Sequence, residues 1–87
     1  MEIELKVNND LGLHARVAAR IVETLMGYDS EVLLVRDQVE AAADSVLEIL
    51  TLGAAKGSVV VARAEGLQAK EALVALQNLF AANFGEV

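Results

Sequence analysis

Cysteine, proline and tryptophan are absent from this chain of 87 residues, and only 3% of its residues are aromatic. Without cysteine, the chain can form neither a disulfide framework nor a thiolate metal site. Because aromatic side chains are so few, valine, leucine, isoleucine and alanine have to pack the core. A hydrophobic content of 55% is sufficient for that purpose.

Basic residues are also scarce, since 7 lysines and arginines stand against 13 aspartates and glutamates, for a formal net charge of −6. Nothing resembles the basic stripe of a nucleic-acid-binding protein, so we expect no nucleic-acid partner. No apolar stretch approaches the roughly 18 residues that span a bilayer, so we expect no membrane insertion. The start, Met1 to Glu4, alternates acidic and apolar residues, unlike a signal peptide, which predicts a cytoplasmic protein.

No linker, repeat or low-complexity segment interrupts the sequence, which predicts one domain over residues 1–87. Alternating or β-branched apolar residues predict four strands, at 2–7, 31–36, 39–42 and 58–64. Apolar residues at helical spacing predict a helix that begins at Ala15 and stops at Gly27, and a stronger helix over 67–84.

A short helix is predicted between the third and fourth strands, with Asp44 or Ser45 as its cap. It is too short to bury all of its apolar side chains, so we expect Ile49 to point inward and Leu47 outward. The resulting order, β-α-β-β-α-β-α, predicts an α+β fold in which the two long helices cover one face of a four-stranded, largely antiparallel sheet. The strand order does not follow from the pattern. A monomer is expected at this size.

The chain has one histidine, His14, placed where a helix is about to begin. Histidine is the side chain best suited to exchange a proton or accept a phosphoryl group near neutral pH. Gly12 allows a turn that other residues resist, and Arg16 adds a positive charge within one helical turn. The first helical amides, from Ala15 to Ala18, would lack intrahelical acceptors. Together these groups have the composition of an anion site.

Less specific interpretations exist for the same residues. A lone histidine near a helix start is more often structural or merely exposed, and Arg16 by itself would be a solvated helix residue. No metal site is predicted, because one histidine and scattered carboxylates lack convergent spacing. Ser30, Ser45 and Ser58 lack the sequence context of a catalytic nucleophile.

Two motifs resemble a known family. They are Gly12-Leu13-His14-Ala15-Arg16 and Ala43-Asp44-Ser45-Val46-Leu47, the second followed by Leu52-Gly53 and Gly57. Over essentially the whole chain this pattern is similar to HPr, the histidine-containing phosphocarrier of the bacterial phosphoenolpyruvate-dependent phosphotransferase system. The resemblance implies an open-faced β-sandwich, with four antiparallel strands and three helices on one face. It implies a phosphoryl carrier rather than a true enzyme, with no cofactor.

The resemblance also implies roles for individual residues. His14 would accept a phosphoryl group on Nδ1 from phospho-Enzyme I and pass it to a histidine or cysteine of a sugar-specific acceptor. Arg16 would neutralise the phosphate, with the amides of Ala15 and Val17 stabilising it. Ser45 matches a position that a separate kinase phosphorylates in many Gram-positive members. Partner docking would involve an apolar patch and one added cation, namely Val46, Leu47, Leu50 and Arg20.

Three features depart from the family pattern. Val17 stands where proline is usual, which restores an amide donor but loses rigidity. Glu23, Asp44 and Glu48 stand around the docking patch where lysines are usual, which would slow encounter with Enzyme I or select another partner. Asp44 also disfavours a phosphate on Ser45, which can serve simply as a cap.

Two alternatives to a general phosphocarrier stay open. One is a regulatory binding module with this fold, and the other is a specialised carrier that is nitrogen-related or part of a multidomain protein.

Overall fold

The structure is a computed structural model that describes residues 1–86. Four strands and three helices follow one another in the predicted order. Their bounds are β1 Glu2–Lys6, α1 Ala15–Leu25, β2 Glu31–Arg36, β3 Val39–Ala42, α2 Val46–Thr51, β4 Val59–Glu65 and α3 Ala69–Ala81. A single tight turn, Asn83–Gly85, follows α3. The predicted domain also includes Val87, which lies outside the described residues.

The strands form one antiparallel sheet in the order β1-β4-β2-β3. This order puts β4 between β1 and β2 and makes β1 and β3 the two edges. Helix α3 packs on β1, β4 and β2, while α1 lies against both α2 and α3. The helices therefore cover one face and leave the other open, which confirms the α+β class and the open-faced β-sandwich.

Alternate residues of each strand face the helices and form the floor of the core. Leu5 lies opposite Val60, and Leu34 lies opposite both Ala62 and Ala41. All five side chains are buried. The apolar faces of the two long helices close the core from above, with Val17, Ala18, Ile21, Leu25, Ala72, Leu73, Leu76 and Phe80. The core is thus mainly aliphatic, as the scarcity of aromatic residues predicts, and both phenylalanines of the chain are part of it.

The prediction for the last helix is wrong at both ends, because α3 covers Ala69–Ala81 rather than 67–84. Asn83 and Phe84 adopt left-handed backbone angles, with φ of 53° and 57°. A right-handed α-helix cannot continue through residues with such angles, so α3 ends before them. Packing explains the bend, since Phe84 is buried and meets Phe80 edge to face, with ring centroids 4.6 Å apart. The bend directs residues 85–86 toward the start of α1.

The other helix boundaries lie close to the prediction. Helix α1 ends at Leu25, just before Gly27, and α2 begins at Val46 after the cap Ser45. Ile49 is fully buried and Leu47 is exposed, which confirms their predicted orientations. Within residues 1–86, no helix combines the length and the apolar character that crossing a bilayer demands.

Candidate functional site at the start of α1

A glycine turn holds the start of α1 against a neighbouring loop. Gly12 has φ of +68°, and a Cβ at this position would lie only 2.5 Å from the carbonyl oxygen of Ala54. The next residue, Leu13, donates its amide hydrogen to that same oxygen at 2.9 Å. Only glycine fits this close approach, so the predicted turn at Gly12 also fixes the position of His14 relative to the loop.

His14 is the N-cap of α1, with extended backbone angles of φ −90° and ψ 179°. Its side chain makes no capping hydrogen bond, although its carbonyl accepts from the amide of Ala18 at 2.9 Å. Within residues 1–86, the amides of Ala15, Arg16 and Val17 have no hydrogen-bond acceptor. The sequence-based expectation of free amides therefore holds for Ala15 to Val17 and is wrong for Ala18, whose amide closes the first helical turn.

A carboxylate that the sequence analysis missed lies beside the imidazole. Glu86 Oε2 is 2.6 Å from Nε2 of His14, across 72 positions of sequence. Its other oxygen, Oε1, accepts a hydrogen bond from Asn9 Nδ2 at 3.0 Å. The contact depends on the bend after α3, and a helix continued to Phe84 would not have produced it. The sequence pattern contains no signal for it.

Asn9 is the second residue that the sequence analysis missed. It is the one buried polar side chain in the part of the chain that the structure describes, with 1% of its surface exposed. Nδ2 donates to the carbonyl of Gly12 at 2.8 Å as well as to Glu86, so this amide ties the glycine turn to the end of the chain. Its Oδ1 has no hydrogen-bond partner within residues 1–86.

Hydrogen bonds and nearby positive charge together lower the pKa of the Glu86 carboxylate. Partial burial of Glu86 works to raise its pKa, but hydrogen bonds from Asn9 and His14 and the charges of His14 and Arg16 outweigh it and lower the pKa overall. Glu86 is thus ionised near neutral pH. The neighbours of Glu86 thus stabilise the negative charge of this one carboxylate.

The two arginines of α1 both lie near this site. Arg16 is exposed and lines an open depression together with Asp10, Leu11, Gly85 and Glu86. The guanidinium of Arg20 is exposed and lies over Gly85, 3.6 Å from where a Cβ would be. Both predicted cations are therefore on the side of α1 that faces the chain end.

The start of α2 is organised differently. Ser45 Oγ accepts a hydrogen bond from the amide of Glu48 at 3.2 Å, which confirms Ser45 as the cap. Glu48 Oε1 accepts one from the amide of Ala42 at 2.9 Å. Glu48 therefore supports the helix start in addition to carrying charge on the surface.

The predicted docking patch is partly exposed. Leu47 has 78% of its surface exposed and Leu50 36%, while Val46 is half-buried against the core. Glu23 and Asp44, the acidic residues expected around it, are exposed. Within residues 1–86, no three histidine, aspartate or glutamate side chains converge to hold a metal ion.

Comparison with known proteins adds independent information. Residues 1–82 match the family model described as the PTS HPr component phosphorylation site. The chain is 43% identical over 83 residues to phosphocarrier protein NPr of Escherichia coli (strain K12), covering 94% of this chain and 92% of that one. It is 37% identical over 86 residues to phosphocarrier protein HPr of Xylella fastidiosa (strain Temecula1), covering 99% and 97%. A crystal structure of HPr-C-His from Thermoanaerobacter tengcongensis superposes with a TM-score of 0.94 at 37% identity, covering 100% and 98%.

Proposed function

The chain belongs to the HPr family, the phosphocarriers of the phosphotransferase system, and from this premise we propose that His14 carries the phosphoryl group. It would receive the group from phospho-Enzyme I and pass it to a downstream acceptor. The observation that carries the proposal is the start of α1, where the only histidine stands beside three amides that have no acceptor within residues 1–86. An anion on the imidazole would meet these N–H groups directly.

The surroundings of His14 match the needs of a carrier, which must hold a phosphoryl group without trapping it. The helix start contributes about 0.3–1 kcal/mol to stabilising a negative charge. A hydrogen bond from Arg16 to a phosphate oxygen would add about 1.5–3 kcal/mol. A total of a few kcal/mol favours the bound phosphate, while exchange between two imidazoles remains easy. We therefore assign Arg16 and the amides of Ala15 and Val17 to phosphate stabilisation.

The two ring nitrogens of His14 have different partners. Nε2 meets the carboxylate of Glu86, whereas no group within residues 1–86 hydrogen-bonds to Nδ1. An ionised carboxylate only accepts hydrogen bonds, so the hydrogen of a neutral imidazole belongs on Nε2. Nδ1 then keeps a lone pair for the phosphorus atom. This supports Nδ1 as the atom that is phosphorylated.

Partner recognition is proposed for the surface beside His14. On α2, the side chains of Leu47 and Leu50 expose apolar surface, and Val46 lies half-buried beside them. On α1, Arg20 contributes a positive charge. Such a patch suits an Enzyme I-type donor and sugar-specific acceptors that dock by apolar contact. Exposed carboxylates surround this patch and would repel acidic groups on a partner. We therefore expect its partners to have a less acidic docking surface than is usual in the phosphotransferase system. Ser45 matches the position of a regulatory phosphorylation, but its hydroxyl is already engaged in capping α2.

The remaining proposals concern the whole protein. We propose that residues 1–87 form a single domain that acts as a monomer in the cytoplasm. A carrier of this kind works between other proteins of the phosphotransferase system, so the choice of sugar belongs to its partners. A regulatory binding module with the same fold is the alternative that the acidic rim motivates.

The test is phosphorylation with purified components. Incubation of the protein with phosphoenolpyruvate and Enzyme I should give a phosphate that is labile in acid and stable in alkali. His14→Ala should lose all of it, whereas Ser45→Ala, the matched change at the other helix start, should keep it. A His14→Ala protein that is phosphorylated like the wild type contradicts the proposal. If several Enzyme I proteins fail while a partner binds the unmodified protein, the binding-module alternative replaces it.

A further inference from the structure

Glu86 makes the shortest polar contact to the proposed phosphoryl acceptor. Its side chain has 17% of its surface exposed, against 28% for His14, so the pair is largely shielded from water. Asn9, which is almost completely buried, holds the other carboxylate oxygen. A carboxylate held from two sides is fixed in orientation, unlike a surface glutamate that samples many rotamers.

This contact determines the state of the ring before transfer. The carboxylate accepts the hydrogen of Nε2, which selects one of the two neutral tautomers and sets the ring plane. The same logic applies to the aspartate that orients the histidine of a serine-protease triad. Without such a partner, proton exchange would leave the neutral imidazole part of the time with its hydrogen on Nδ1, and that nitrogen then has no lone pair to attack phosphorus.

The contact also bears on the charge created by transfer. When the lone pair of Nδ1 forms the new N–P bond, the N–P bond of the donor phosphohistidine breaks and its electron pair returns to the donor ring. No proton leaves His14, because Nε2 keeps its hydrogen. The His14 ring therefore becomes a cation, and the Glu86 carboxylate lies 2.6 Å from the nitrogen that shares that charge.

We propose that Glu86 is a positioning residue for phosphoryl transfer, which holds His14 with its hydrogen on Nε2 and neutralises the ring cation formed when Nδ1 is phosphorylated. The inference rests on the proposed role of His14. The contact is made at the ring edge that carries Nε2, so the carboxylate does not occupy the side from which phosphorus approaches Nδ1.

Two measurements on Glu86 variants test this role. The ¹⁵N chemical shifts of the His14 ring report the tautomer without any phosphorylation, and a single-turnover reaction with Enzyme I charged by phosphoenolpyruvate reports the rate of acceptance. Glu86→Gln should weaken the preference for Nε2–H and slow acceptance by about tenfold or more, by analogy with the carboxylate that orients a catalytic histidine. Glu86→Asp, which keeps the charge, should recover part of both. Glu71→Gln removes an exposed glutamate of α3 and should behave like the wild type.

The possible outcomes separate this inference from the proposed function. A Glu86→Gln rate equal to or above that of the wild type overturns the positioning role, and a faster rate would mean that the carboxylate obstructs the phosphate. A slower rate with an unchanged tautomer overturns it as well. If the wild type itself accepts no phosphoryl group from any Enzyme I, the proposed function fails, and the ring shifts still report whether Glu86 selects the tautomer.

Discussion

The starts of α1 and α2 both have a polar cap residue, but the two cap side chains make different contacts. At α2, Ser45 turns its hydroxyl toward the amide of Glu48, so the side chain caps its own helix. At α1, His14 occupies the same cap position but makes no capping hydrogen bond with its side chain. One helix start is closed by its own residues and the other is open.

A transfer site requires a side chain that is free to accept a new group. A side chain that satisfies its own helix has to give up that contact before it can accept another group, at a cost of about 0.5–2 kcal/mol for a serine cap. His14 gives up no such contact, since the amides that would stabilise a phosphate are without acceptors within residues 1–86. The comparison favours His14 over Ser45 as the residue that is modified rapidly and reversibly.

Breaking the turn before α1 should have the largest effect. In Gly12→Ala, the new methyl group would meet the backbone oxygen of Ala54 and a left-handed φ, which together should lower the free energy of unfolding by about 2–5 kcal/mol. The displaced His14 should also accept phosphate more slowly. Urea denaturation and a phosphorylation assay measure the two effects.

Gly27→Ala is the matched control for that change. Gly27 has no positive φ, and a Cβ there would have Thr24 oxygen 3.9 Å away as its nearest neighbour. The free energy of unfolding of the Gly27→Ala protein should differ from that of the wild type by no more than about 1 kcal/mol. Equal effects of the two substitutions would contradict the tight approach assigned to Gly12.

Removing the positive charge of Arg16 from the start of α1 should slow phosphoryl transfer without unfolding the protein. Arg16 is exposed, so Arg16→Ala should keep the wild-type stability. Loss of its hydrogen bond to phosphate, worth about 1.5–3 kcal/mol, should slow transfer by roughly 10- to 150-fold. Lys70→Ala, at an exposed position of α3, is the control for a lost positive charge. A normal transfer rate in Arg16→Ala would remove that residue from the mechanism.

Removing the Ser45 cap at the start of α2 should have the smallest effect on the protein. Ser45→Ala removes the hydroxyl that accepts from Glu48, and the free energy of unfolding should fall by about 1 kcal/mol. Phosphorylation of His14 should be unaffected. Ser58→Ala, at a half-buried position outside the helices and strands, should cost less. A large loss of transfer in Ser45→Ala would show that the two helix starts are coupled.

The strands and most helix boundaries were predictable because local pattern determines them. The runs at 31–36 and 39–42 form β2 and β3 with the predicted bounds. In the short helix α2, Ile49 points into the core and Leu47 points to solvent, as predicted for a helix that cannot bury all of its apolar side chains. The sheet order was not predictable, because apolar alternation identifies a buried face without identifying the neighbouring strand.

The site was predictable only where its residues are close in sequence. Gly12, His14 and Arg16 lie within one motif, so spacing alone brings them together. Glu86 reaches His14 because Asn83 and Phe84 leave the helical conformation, and helical periodicity cannot signal a bend that aromatic packing causes. Asn9 resembled any polar loop residue, and its burial arises from contacts with Gly12 and Glu86 that lie outside the sequence pattern.

We expect the phosphoryl group to be carried at the start of α1. The most direct measurement is to locate the phosphate on the intact protein after reaction with phosphoenolpyruvate and Enzyme I, using mass spectrometry at alkaline pH and phosphorus–nitrogen coupling in NMR spectra. We expect one phosphate, bonded to Nδ1 of His14, with Ser45 unmodified. Phosphate found on Ser45, or on any residue other than His14, would contradict it.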